Sequence, residues 1–226
     1  MALSKVDYNS LNVTPAASKA LKWNSNADGF ETGDLGGSLV LLATETASSS
    51  ATLSFTSNID STYKEYQFHF IDIHSANDGV DFTFQADTGT NTSYNQTITS
   101  TLFQAAHDEA STSAAVGYQT AIDQAQGTAF QRLGKIGNDN DQCCVGTLHL
   151  YDPSSTTFVK HFLSNVQNYH NENYSTQEFV AGYFNTTTAL TRVQFKMSSG
   201  NIDAGVIKMY GVSYWHLLNI IIIVLM

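Results

Sequence analysis

Residues 193–211 read VQFKMSSGNIDAGVIKMYG. Val193, Phe195 and Met197 fall on one side of an alternating run, with Gln194, Lys196 and Ser198 on the other. Val206, Lys208 and Tyr210 then alternate with Ile207, Met209 and Gly211. Successive side chains of a strand point to opposite faces, so each run reads as a strand with one face for a core. Between them lies SGNIDAG, whose glycines and Asn take the positive φ that a returning chain requires. The expectation is a β-hairpin that closes an all-β domain.

Working outward, the same period of two recurs. Leu53 and Phe55 alternate with Ser54 and Thr56, and Tyr66, Phe68 and Phe70 with Gln67, His69 and Ile71. Asn77, Asp78 and Gly79 then form a turn before Val80, Phe82 and Phe84 alternate with Asp81, Thr83 and Gln85, so a second hairpin is expected there. Residues 97–103, 145–151, 157–166 and 177–185 read as further strands, with Asp152 and Pro153 marking a turn between the second and third of these. Residues 104–130 keep no sustained helical period and are interrupted by Gly117 and Gly127, so they read as loop with weak strand or helix. About eight strands with no βαβ alternation predict an antiparallel, jelly-roll-like β-sandwich.

The first 50 residues differ. Thr14, Pro15 and the alanines behind them predict a short helix over 14–21, with Thr as N-cap and Pro at the first helical position. Residues 24–37 are rich in Asp, Gly and Asn and read as loop, and 38–43 as a short apolar strand. The expected layout is an N-terminal arm or attachment segment over 1–50, the jelly-roll-like sandwich over 51–212 and a hydrophobic tail over 213–226. The tail is too short for a transmembrane helix, which needs about 20 apolar residues, and it has no basic flank. Burial against a partner subunit and a shifted reading frame both remain open for it.

Composition narrows the function classes. Ten Lys and Arg against 20 Asp and Glu leave a net charge of −10, with no basic stripe for nucleic acid or an anionic membrane. Only 13% of residues are charged, about half the usual share of roughly 25%, so Ser, Thr, Asn and Gln must build the polar face. The start, MALSKVDYNSLNVT, shows no basic patch followed by an apolar run, and no secretory signal is expected. Cys143 and Cys144 are neighbours and read as two reduced thiols.

Motifs for chemistry are missing. There is no Gly-x-Ser-x-Gly elbow, phosphate loop or His-Glu-x-x-His pair. Asn138, Asp139, Asn140 and Asp141 offer clustered oxygens, but calcium-loop spacing would need Gly at Cys144 and Glu at Leu150, so they read as a solvated turn. Asp72, His74, Asp78 and Asp81 crowd one turn without the geometry of an acid/base pair. No cofactor, metal or catalytic residue is expected. For binding, Trp23, Tyr94, Tyr118, Tyr169 and Tyr174 sit in or near loops and are the candidates for stacking on sugar faces.

Five stretches carry a resemblance: ATLSFTS at 51–57, DSTYKEY at 60–66, LHLYDPSS at 148–155, SGNIDAG at 199–205 and KMYG at 208–211. Together, over residues 11–212, the chain resembles virion structural proteins of tailed phages, of the marine and environmental type. The resemblance implies a non-enzymatic tail fibre, tail appendage or capsid decoration located in the virion. It also implies a homo-oligomer, often a trimer, whose partners are other virion proteins; that the sandwich loops touch a host surface glycan is a separate hypothesis beside it. The tail from Ser213 onward departs from that pattern. A free-standing carbohydrate-binding module is the alternative from a different class, and a depolymerase the third.

Overall fold

The computed structural model describes residues 20–24, 26, 28–33 and 38–213. The chain divides into two compact units, Met1–Ser38 with Trp215–Met226, and Leu39–Tyr214. In the first unit β1 (Ala20–Trp23) pairs antiparallel with β2 (Phe30–Gly33). The helix expected over 14–21 falls mostly outside the described residues; its last two positions, Ala20 and Leu21, open β1. The C-terminal tail beyond 213 lies outside them too. No described helix is long and apolar enough to cross a membrane.

The second unit is all-β among the described residues, and its strands form two antiparallel sheets. The smaller is ordered β10 (Gln131–Ile136), β6 (Val80–Thr88), β14 (Leu190–Met197), β4 (Leu53–Phe55). The larger runs β3 (Leu39–Thr46), β15 (Ile202–Val212), β5 (Glu65–Ser75), β11 (Cys144–Tyr151), β12 (Lys160–His170), β13 (Tyr174–Phe184), β7 (Ile98–Asp108), β8 (Ala114–Tyr118). A short ninth strand, β9 (Ala125–Gly127), also pairs with β7. The strand expected at 38–43 is β3, and it belongs with this unit, which begins at Leu39 rather than at Ala51.

The two expected hairpins are corrected by the structure. β14 and β15 are consecutive but lie in different sheets, as do β5 and β6. Each pair is an arch that crosses the core, and the ladder bonds run between arches: β14 pairs with β6, and β15 with β5. Period-two alternation puts the same side chains on the core in a hairpin or an arch, so it does not discriminate between them. What locks the arches together is their turns. Ala76 N donates to Asn201 O at 3.1 Å, Ser198 N to Asp81 O at 2.8 Å, and Asn77 Nδ2 to Ser199 Oγ at 3.2 Å. Gly200, at φ +73°, leaves room for the Asn77 amide, which a Cβ there would meet at 2.7 Å.

The core lies between the sheets and is built from aromatic rings. Phe195 of β14 sits among Phe68 and Phe70 of β5, Phe82 and Phe84 of β6, and Phe55 of β4, with centroids 5.3 to 6.3 Å away. Phe55 and Phe70 meet it edge-to-face, Phe82 and Phe84 stack on it and Phe68 is tilted; edge-to-face and offset-stacked arrangements are those that ring quadrupoles favour. One ionic tie also crosses the sandwich. Arg132 of β10 forks onto the carboxylate of Glu178 on β13, with Nε to Oε2 at 3.1 Å and Nη2 bonded to Oε1, and Glu178 is fully buried.

Candidate functional site

The outer face of the larger sheet follows from its register. Alternation points Leu148, Phe162, Val166, Val180 and Leu102 into the core, so their neighbours must face away. One outward row crosses β11, β12, β13, β7 and β8 as Thr147, Asn165, Phe179, Phe103 and Tyr118. The adjoining row is His149, Leu163, Ala181 and Thr101. Phe103 and Phe179 stack with centroids 4.7 Å apart and planes 12° from parallel.

Ala181 and Thr101 are short side chains beside large ones, so the face dips there. The result is a trough of about 450 Å³ bordered by Phe103 and Phe179, Leu163 and Asn165, and His149 and Tyr151. A second hollow of about 260 Å³ shares Thr101, Leu163 and Ala181 and ends at His161 and Tyr183. Among the described residues no Asp, Glu, Lys or Arg lines the trough.

One polar device stands at the trough's edge. His149 Nδ1 lies 2.7 Å from Glu65 Oε1, and Gln67 Nε2 donates to the same oxygen at 2.9 Å. A carboxylate only accepts, so Nδ1 carries the hydrogen of this bond. His69, next along the face, bonds Gln67 Oε1 through Nε2 at 3.2 Å and tilts against Tyr210. Burial pushes the His69 pKa down, and the nearby His149 adds to the effect. Among the described residues no hydroxyl or thiol is hydrogen-bonded to His149.

The five candidate aromatics are not gathered in one place. Trp23 is 56% exposed and stacks on Phe30, 4.4 Å away, within the first unit's hairpin. Tyr94 is buried, with φ at 46° and its N–H bonded to Asp87 Oδ2, so it presents no face to a ligand. Tyr118 adjoins the trough, paired in register with Phe103, and its hydroxyl donates to Asp123 Oδ2 at 2.6 Å, which raises its pKa. Tyr169 lines a cleft of about 440 Å³ at the end of the sheet with Asp108, Glu109 and Asp141; a hydrogen bond to Glu109 raises its pKa. Tyr174 lines neighbouring clefts with Glu172 and Asn173. Phe103 and Phe179, which reasoning from loop tyrosines passed over, carry a visible signal: both fall on the polar phase of their strands.

Among the described residues no three His, Cys, Asp or Glu side chains gather where they could hold one ion. Asp139 sits in a turn closed by Gln142 N to Asp139 O at 2.8 Å. Cys143 and Cys144 are free thiols, and burial pushes both pKa values up, Cys144 strongly, which leaves them poor nucleophiles. No family model, curated protein or solved structure matches the chain.

Proposed function

We propose that the chain is a non-enzymatic virion structural protein of a tailed phage, built on a jelly roll and used in host attachment. The observation that carries this reading is the strand order. Four successive pairs, β3–β4, β5–β6, β10–β11 and β14–β15, each step from one sheet to the other. They lie as β3-β15-β5-β11 in one sheet and β4-β14-β6-β10 in the other, an order that supports the jelly-roll reading, with its two Greek keys. That architecture recurs in viral capsid and lectin domains. The remaining strands of the unit are two inserts: β7, β8 and β9 before β10, and β12 and β13 after β11. Both extend one sheet beyond the eight-stranded core, and their outer face is where the trough lies. A fold with insertions that widen a single exposed face suits presentation and attachment.

The ligand class follows from the lining. Apolar ring faces beside hydroxyl, amide and imidazole groups, without formal charge, suit a neutral pyranose, which has an apolar face and a hydroxyl rim. Screening immobilised bacterial surface polysaccharides with the wild-type chain and with Phe179→Ala tests this. At least one neutral glycan should be retained by the wild type and bound at least tenfold more weakly by the variant, about 1.4 kcal/mol. Phe179 is half-buried on an outer face, so the variant should stay folded. Unaltered binding by Phe179→Ala would remove the trough from the account. A free-standing carbohydrate-binding module would use the same trough and is distinguished by its absence from particles.

A further inference from the structure

We infer that two copies of the chain join through the free edge of β8, strand to strand and antiparallel, about a two-fold axis at Val116. This goes beyond the attachment reading and does not depend on sugar binding in the trough.

The geometry begins with the bonds that β8 already makes. Asp108 N donates to Ser113 O at 3.0 Å, and Gln119 N to Leu102 O at 2.9 Å. In an antiparallel ladder, residues alternate between bonding the partner and facing away. Ser113, Ala115, Gly117 and Gln119 therefore bond towards β7, and the N–H and C=O groups of Ala114, Val116 and Tyr118 point outward. A second β8 laid antiparallel about Val116 meets them in phase. Val116 faces Val116 of the copy, and Ala114 faces Tyr118 in both directions. Each of these three pairs is of the hydrogen-bonded kind, so all six outward groups of each strand are satisfied.

The side chains allow the approach. Every residue of β8 is exposed, Val116 at 76%, and AAVGY carries no charge, no proline and only small groups on its inner side. Native edges are usually blunted by shortness, charge or bulges. The other edges here are blunted. β4 has three residues, β10 carries Arg132, Lys135 and a register shift, and β3 carries Glu45 and another shift. Among the described edges of this unit, β8 alone is longer than three residues and has neither charge nor irregularity. Pairing would also keep Val116 and Tyr118 on the outer face, extending the apolar row of Phe103 and Phe179 across both copies. The one opposing force is the net charge of −10 on each chain, so added salt should strengthen association.

The test is the solution mass of the full chain by light scattering after size exclusion, at low and moderate salt, beside Val116→Pro and Val116→Lys. Proline removes an outward N–H and leaves the β7–β8 bonds intact; lysine places a charge on the edge. The expected result is a two-chain mass that salt favours and that falls to one chain in both variants, with far-UV circular dichroism and melting temperature unchanged. A wild-type chain that stays a monomer overturns the proposal. So does a mass that neither substitution alters; a trimer of that kind would remove the β8 contact and leave the virion reading standing.

Discussion

Glu178→Ala is expected to cost about 3–5 kcal/mol in urea unfolding, the penalty for leaving a buried cation without its partner. Glu178 is fully buried on β13 and Arg132, with its side chain 11% exposed, reaches it from β10 in the other sheet. Asp81 stands 3.5 Å from the same guanidinium but is more exposed and cannot replace the fork. The pair itself is not the source of that energy, because desolvating two ions offsets most of their attraction. The double replacement Arg132→Met with Glu178→Leu should therefore cost less than Glu178→Ala alone. Burial is the largest influence on Glu178 and leaves its pKa raised above 4.5 despite Arg132. The folded chain binds that proton more tightly than the unfolded chain. The stability this site contributes is thus full below about 4.5 and lost as pH rises through the raised folded value, opposite to an ordinary paired carboxylate. Equal losses in the single and double variants would show that the tie acts through packing alone.

Phe195→Ala is the second large effect, at about 3–5 kcal/mol, the usual range for removing a buried Phe. Its ring touches five others drawn from both sheets, and each of those is buried by the same cluster. The surrounding rings are held by arches whose turns are bonded to one another, so the site cannot collapse to fill the hole. A domain whose total stability is about 5–15 kcal/mol would lose much of its margin. Phe103→Ala, by contrast, removes a ring that is 46% exposed and should change the melting temperature little. Thermal unfolding of both variants checks the contrast; a small shift for Phe195→Ala would mean that the aromatic cluster is not the centre of the core.

Strand positions were legible because a one-sided strand writes its period into the chain. Tyr66, Phe68 and Phe70, or Phe162 to Val166, need no partner to be recognised as alternating, whereas Phe158, expected within that strand, stands exposed ahead of it because β12 begins at Lys160. Partner choice was not legible, since Asn77 to Gly79 and the 199–205 turn serve an arch as well as a hairpin. β10 was missed because QRLGKI offers little apolar contrast; Gly134 is small because the Asn168 side chain occupies the place of its Cβ, 1.9 Å away. Within 104–130 the alanines gave no contrast either, although β7 continues to Asp108 and β8 follows. The candidate site was half legible. Selecting tyrosines in loops reached Tyr118, whereas Phe103 and Phe179 required asking which aromatics stand on the wrong phase of a strand, and only the register brings them side by side.

The central claim, that this chain is a built part of a phage particle, is tested most directly by quantitative mass spectrometry of purified particles from a phage whose genome encodes it. The account predicts that the chain co-purifies with the particles through a density gradient, in fixed ratio to the major capsid protein. A chain abundant in the infected-cell lysate but absent from the particle band would contradict it and leave a free carbohydrate-binding module as the better reading.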